Sequence, residues 1–384
     1  LERTGGGARF VRGDVIKRLL EAARGAAAEA RVDVAFVLRD EKDFAFTQEL
    51  RKREVALWWP SLNPEVRNQR RGQLAPFMGA GVSMSAGAPS WGQLLDGLVS
   101  DAHLSGREKE SLKGRNNLDQ ASILQSIFKE RTKQGGTSFN ETIAKRVELD
   151  RYGLAPAILA SLGSREAITL NYDTLFETAS ADAGLPRTVI PDGVREKNSW
   201  LLKLHGSVTD PESIVLTRDD YLGFNFSRNA LSALAKATLM TQHLLFVGFG
   251  LEDDHFHEII HDVRRALPEA VHETNGIATA LMLSEDPLGE RIWSNQLSLV
   301  SMGRDMNGRT ARALEIFLDY LVAMATDSHS FLLADGDEQA LTDAEQSLRK
   351  RLQDLSDQLT DDEKDSSGGI RLQEMLAELG APTH

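Results

Sequence analysis

Four groups of residues in this 384-residue chain have types and spacings that could do chemistry. Asn171 has a carboxylate two residues on, Asp173. His205 precedes a Gly. Gly79-Ala80-Gly81 and Gly248-Phe249-Gly250 are glycine turns, each following an apolar run. An amide side chain donates and accepts at once, so Asn171 suits a sugar hydroxyl or a held water. A neighbouring carboxylate can orient that amide or stabilise a developing positive charge. An imidazole can take a hydroxyl proton near neutral pH, which makes His205 the candidate base. Glycine turns let backbone approach a pyrophosphate, and a helix N-terminus behind the turn attracts its charge. Together these pieces could hold a dinucleotide and do chemistry on its ribose.

Each piece also has a plainer reading. Gly79-Ala80-Gly81 could be a tight packing turn, because Met84 stands where the third Gly of the full dinucleotide pattern belongs. Ser83 and the stretch 86–91, with Pro89 and Trp91, suggest a loop folded over the cofactor, although Trp91 would serve equally as a core anchor. Asp173 could cap the helix that follows it. Asp253, after the second turn, could orient loop backbone or ribose, or simply cap its own helix. A competing motif, His257-Glu258-Ile259-Ile260-His261, has the spacing of a zinc-protease helix. Its flank of Asp262, Arg264 and Arg265 is unusually charged, and no third ligand is evident beyond a distant Glu or His272. No metal is expected.

The elements that must position these residues alternate. Strands are predicted at Leu74–Met78, Ala167–Leu170, Val189–Ile190, Leu201–Leu204, Ser213–Leu216, Leu244–Val247, Ile277–Leu283 and Gln296–Val300. Helices are predicted between them, with Ser90 capping the one that starts at Trp91. Strands this apolar are buried on both faces, so the fold class is α/β with a Rossmann-like, mostly parallel sheet. Residues 104–163 read as a helical insertion broken at 134–137. The expected organisation is an N-terminal helical extension (1–71), a catalytic domain (72–302) and a C-terminal helical region (303–384). In the extension, helices are predicted at 14–31 and 44–57, the second ending before Trp58-Trp59-Pro60. The C-terminal region has helices at 308–326, 338–360 and 370–379, with a solvated linker at Asp361–Gly369.

Bulk properties narrow the classes. The chain has no Cys, which excludes disulfides, a Cys-ligated zinc module and a thiol nucleophile. A net charge of −13 argues against a nucleic-acid coat. No run approaches the roughly 20 apolar residues of a membrane span, and the Arg-bearing start lacks a signal-peptide core. A cytoplasmic location is expected, and the opening Leu suits a trimmed or partial chain. Charge is uneven: residues 1–75 carry 15 basic and 11 acidic groups, and the tail from Asp335 carries 13 acidic and 5 basic. Either end is a solvated helical surface or a docking surface for other subunits.

The ordered motifs Gly-Ala-Gly-Val-Ser (79–83), Asn-Tyr-Asp (171–173), His-Gly (205–206) and Gly-Phe-Gly (248–250) resemble the sirtuin, or SIR2-like, superfamily over about residues 72–302. That resemblance implies that NAD is bound at the first glycine turn, that Asn171 orders attack on the nicotinamide ribose, and that His205 is the base. The chain departs from the deacylating members at three places. It has Pro89-Ser90-Trp91 where they carry Pro-Asp-Phe-Arg, Leu170 where they carry Gln before the Asn, and no four-Cys module. It is closer to the SIR2-like proteins of bacterial antiphage systems, which hydrolyse NAD⁺ to nicotinamide and ADP-ribose. Such domains are often oligomeric and paired with a sensor or ATPase, so a homo-oligomer and a HerA-like hexameric ATPase or short Argonaute partner are implied. The alternatives are an NAD-dependent protein deacylase and a non-catalytic nucleotide-sensing or assembly subunit.

Overall fold

The computed structural model describes residues 12–55, 74–193, 199–267, 278–293, 296–326, 329–335 and 338–381. Among the described residues, seven strands form one sheet: β1 (Leu74–Met78), β2 (Glu166–Thr169), β3 (Thr188–Ile190), β4 (Trp200–Lys203), β5 (His243–Val247), β6 (Ala278–Met282) and β7 (Leu297–Ser301). Their order is β3-β4-β2-β1-β5-β6-β7, and every pairing is parallel. The expected α/β, Rossmann-like sheet is therefore present and parallel throughout.

The strand sequences explain the arrangement. β1 and β5 are in register from Leu74 opposite His243 to Met78 opposite Val247, and all but His243 of these residues are buried. A central parallel strand has no solvent face, so continuous apolar runs are required rather than alternation. Phe77 and Phe246 lie with ring centroids 4.9 Å apart, and Phe246 meets Phe256 of the Asp254–Ala266 helix at 4.9 Å. Each such buried ring contributes roughly 2–3 kcal/mol of transfer free energy. The chain winds outward from β1 through β2 to β4 and β3, then returns to β5 on the other side of β1. The winding reverses at β1 and β5, and in open α/β sheets ligands bind at the strand C-termini beside such a reversal.

The helical insertion is present as the helices Gly106–Lys113, Asn117–Thr132, Phe139–Val147 and Leu154–Ser161. Leu124, Phe128 and Ile143 share a core there with Leu95 and Leu98 of the Trp91–Asp101 helix. Ser90 caps that helix as expected, in a reciprocal capping box with Gln93.

Two expectations fail. Ser213–Leu216 is not a strand: Pro211–Ser213 is a short 3-10 turn, and residues 214–216 run as irregular chain. Ile214, Val215 and Leu216 are apolar because they are buried, with the Val215 N–H donating to the His205 carbonyl at 3.0 Å. Asp361–Gly369 is not a linker. Thr360 and Glu363 form a capping box that starts the Asp361–Asp365 helix, and Ser367–Glu378 follows as another helix. The end of the helix predicted to reach 57, Trp58-Trp59-Pro60, His272 and Ile277 lie outside the described residues.

The chain forms two compact units, residues 62–321 and residues 1–61 with 322–384. In the second, Ile16 and Leu20 of the Arg12–Ala30 helix and Phe46 of the Glu41–Val55 helix bury together with Phe331, Leu332 and Leu341. Phe46 meets Phe331 edge-on at 5.6 Å. The two terminal segments thus share one core. Among the described residues, no helix is long and apolar enough to cross a membrane.

Candidate active site

β4, β2, β1 and β5 are consecutive neighbours in the sheet, and each ends in one of the four motifs. Gly79 directly follows β1, Asn171 comes two residues after β2, His205 two residues after β4, and Gly248 directly after β5. Motifs far apart in sequence therefore stand side by side along one edge of the sheet.

The two glycine turns pack against each other. The Gly79 and Gly81 N–H groups donate to the carbonyls of Val247 (3.0 Å) and Gly248 (2.9 Å). A Cβ on Gly81 would fall 2.7 Å from the Gly248 Cα, and Gly248, at φ +65°, would bring a Cβ within 2.4 Å of the Val82 N. The packing role left open for Gly79-Ala80-Gly81 is thus met in full, whatever binds there. Ala80 is exposed at the turn. Gly250 differs: a Cβ there would meet nothing within 4 Å. Gly250 instead lines a cavity of about 360 Å³ with Glu252, His257, Asp286 and Trp293. Phe249 packs against Phe77 and Phe256 at 5.5 and 4.8 Å.

Ser83 is buried and ties the first turn to the Asn171 loop, accepting from Asn171 Nδ2 at 3.2 Å. The Asn171 N–H donates to Thr169 Oγ1 at 3.0 Å, and that hydroxyl donates to the Met78 carbonyl at 3.2 Å. Asp173 is buried, and its Oδ1 accepts from the Leu175 N–H at 3.1 Å, an Asx turn just ahead of the Leu175–Asp182 helix, whose N-cap is Thr174. Its backbone carbonyl accepts from Lys203 Nζ, which also meets Glu177 Oε1 at 2.7 Å. Lys203 is only 1 % exposed, and burial pushes the Glu177 carboxyl up while Lys203 opposes the shift. Buried Lys203 and part-buried Glu177 pin the Asn171–Asp173 loop to β4, the strand that leads to His205. Trp91 packs on the edge of the insertion core, in the anchor role, and Pro89 is half-buried in the loop before it.

His205 is 3 % exposed. Its Nε2 lies 3.2 Å from Nδ1 of His255, whose own Nε2 lies 3.2 Å from the Tyr221 carbonyl. The Tyr221 hydroxyl donates to Asp253 Oδ2 at 2.6 Å, and Asp253 Oδ1 accepts from the Phe256 N–H at 3.1 Å, the N-cap contact expected of Asp253. Burial pushes the His205 pKa down to about 4, against the pull of Asp253 and with help from His255 and Arg228. The 4.0 Å approach of Asp253 Oδ2 to His205 Nε2 is therefore not an ion pair at neutral pH. The His205 ring is neutral there. Arg228 holds its loop by donating from Nη1 to the Leu204 carbonyl at 2.9 Å and from Nη2 to the Ser213 carbonyl.

The zinc-protease spacing does not build a site. His257 and His261 are exposed, and His257 Nε2 donates to the Leu251 carbonyl at 2.8 Å. Among the described residues, the donor atoms that do converge, within 4.8 Å, belong to His205, Asp253 and His255. His205 Nε2, both ring nitrogens of His255 and both oxygens of Asp253 already have hydrogen-bond partners. The cluster reads as a hydrogen-bonded chain.

Sequence reasoning missed His255, Tyr221 and Lys203. A signal for His255 existed: it falls at the 255, 259, 263 spacing of the buried stripe of its helix, with Ile259 and Val263. A polar ring on an apolar stripe needs a partner.

Residues 165–299 match the family model of the SIR2-like domain. The chain is 29% identical over 221 residues to defense-associated sirtuin 2 of Bacillus subtilis, covering 55% of this chain and 21% of that protein. It is 29% identical over 212 residues to the NAD(+) hydrolase ThsA of Enterococcus faecium (52% and 41% covered). It is 27% identical over 205 residues to the ThsA of Bacillus cereus (50% and 40%). The matches thus span well under half the length of these relatives. In its parallel sheet and in the motifs along one sheet edge, the chain is similar to the SIR2-like family over the matched residues.

Proposed function

We propose that the domain hydrolyses NAD⁺ to nicotinamide and ADP-ribose, as a regulated effector of bacterial antiphage defence. The observation that carries this is the placing of Gly79–Ser83, Asn171, His205 and Gly248–Gly250 at four adjacent strand ends. The names of the relatives, NAD(+) hydrolase and defense-associated sirtuin, support the same reading.

In this reading the pyrophosphate lies along the β1 and β5 turns, with Ala80 and Ser83 nearest it. The adenosine half takes the cavity at Gly250, where Glu252 can accept from a ribose hydroxyl. Asn171 holds the attacking water or the nicotinamide ribose. The bond from C1′ to the nicotinamide nitrogen breaks with its electron pair leaving on nicotinamide, and charge develops at C1′. Water forms the new C1′–O bond, and neutral His205 takes its proton. Asp173 holds the loop that carries Asn171. Pro89 and Trp91 frame the cofactor loop, and Asp253 orients the second turn.

The cover of Tyr221 and Phe224 over His205 keeps the site dry, and it suits an enzyme held inactive until triggered. The same proposal places the protein in the cytoplasm, in a homo-oligomer, beside a partner of the HerA-like ATPase or short Argonaute type. The test is conversion of NAD⁺ by the chain, alone and in its native assembly, followed by chromatography of nicotinamide and ADP-ribose. Asn171→Ala and His205→Ala should each lower turnover by about 100-fold or more with unchanged circular dichroism. Full turnover in both variants would place the active site elsewhere.

A further inference from the structure

We propose that His255 is the positioning residue of His205: it fixes the His205 imidazole as the Nε2–H tautomer and leaves Nδ1 as the basic nitrogen. This rests on the reading of His205 as the base.

The argument starts from a backbone carbonyl, which can only accept. Since His255 Nε2 meets the Tyr221 carbonyl at 3.2 Å, that nitrogen carries a proton. In the neutral ring, Nδ1 of His255 is then bare and can only accept. His205 Nε2, 3.2 Å away, must be the donor. One tautomer of His205 satisfies the chain, and its remaining nitrogen is free for a proton.

The packing holds His255 to this task. Its ring stacks on Tyr221 (centroids 4.3 Å apart, planes at 12°) and on Phe224 (3.8 Å, 24°), both from the Arg218–Ser227 helix. The Tyr221 hydroxyl is in turn bound to Asp253, the N-cap of the helix that carries His255. When His205 takes a proton at Nδ1, its Nε2–H still has its acceptor. Asp253, 4.0 Å from Nε2, then faces a cation. The charged and titratable groups around the two rings are Asp253 and Tyr221, with Arg228 at the end of the Tyr221 helix. An acceptor that fixes the tautomer of a base is the logic of the third member of a hydrolase triad. Here a second imidazole takes the place of the carboxylate.

The test uses the whole chain with ¹⁵N-labelled histidine, His205 being assigned from the signal lost in His205→Gln. Two-bond ¹⁵N–¹H correlations report which ring nitrogen is protonated. Wild-type His205 should show the Nε2–H form alone. His255→Leu should show a mixture, and His255→Asn, whose Oδ1 stands near the position of Nδ1, should restore the single form. For NAD⁺ hydrolysis by the activated protein, His255→Leu should lower kcat on the order of 100-fold with KM nearly unchanged, and His255→Asn should recover most of the loss. The proposal is overturned if wild-type His205 is protonated at Nδ1. It is equally overturned if His255→Leu keeps both the tautomer and kcat, or if His255→Asn recovers no more than His255→Leu. If the tautomers behave as expected but no form hydrolyses NAD⁺, the assigned reaction fails while the His255–His205 pairing stands.

Discussion

Burying His205 as a neutral ring has a cost that appears only in acid. The unfolded chain takes up a proton at this residue near its ordinary pKa of 6.5, whereas the folded protein resists until about 4. Between those values the folded state binds fewer protons, so stability is complete above about pH 6.5 and is lost as the pH falls toward 4. The full gap corresponds to about 3 kcal/mol, and about 2 kcal/mol of it is lost by pH ~5. In urea denaturation this is a fall in midpoint of about 1 M between pH ~7.5 and ~5, for a slope of roughly 2 kcal/mol per M. Tryptophan fluorescence is a suitable probe, since Trp91, Trp200 and Trp293 belong to the unit that contains the sheet. His205→Gln removes this titration and leaves every other group in place. Its midpoint should fall less over the same interval, by about the same 1 M. Equal losses in the two proteins would mean that His205 titrates normally in the fold, and the neutral-base argument would fail.

Three further outcomes follow from the strand ends. Lys203→Met leaves the part-buried Glu177 without its partner and should cost about 2–4 kcal/mol, read as a lower urea midpoint. Adding Glu177→Leu should recover much of that, and a Lys203→Met protein as stable as wild type would discount the pair. Gly248→Ala forces a Cβ against the Val82 backbone at a positive φ and should lower stability by about 1–3 kcal/mol. Gly250→Val has open space for its side chain, so it should leave stability unchanged and raise the KM for NAD⁺. A stability loss at Gly250 equal to that at Gly248 would remove the distinction.

How much was legible in the sequence follows from how local each feature is. A strand, its turn and the residue just past the turn lie within about ten positions, so the four motifs and their strand-end placement could be read directly. The pairing of His205 with His255 could not, because it joins the end of β4 to the helix that follows β5 and depends on sheet order. The Ser213–Leu216 error has a related cause: an apolar run satisfies a strand and a buried irregular segment equally well. Asp361–Gly369 has the composition of a linker, while the Thr-x-x-Glu box at Thr360 and Glu363 marks a helix start. The shared core of the terminal segments was beyond reach for another reason. Helical periodicity shows that a face will be buried, but not against what.

The glycines show how a correct reading of a motif can still conflate two causes. In the sequence, Gly79, Gly81, Gly248 and Gly250 look like one kind of evidence, backbone cleared for a ligand. In the structure, Gly79, Gly81 and Gly248 are each required by the contact between the β1 and β5 turns, and a Cβ on any of them would meet backbone at 2.7 Å or less. Their presence would be explained in a protein that bound nothing. Only Gly250, with free space around it and a cavity in front of it, lacks a structural reason to be glycine. The weight of the dinucleotide reading therefore shifts from the number of glycines to one open position. It shifts also to what stands along the same sheet edge: an amide tied to Ser83 and an imidazole kept neutral by burial and oriented by a second imidazole. Packing alone does not call for a buried His at the end of β4 paired with a second His on a neighbouring helix, whereas a base with one defined lone pair does.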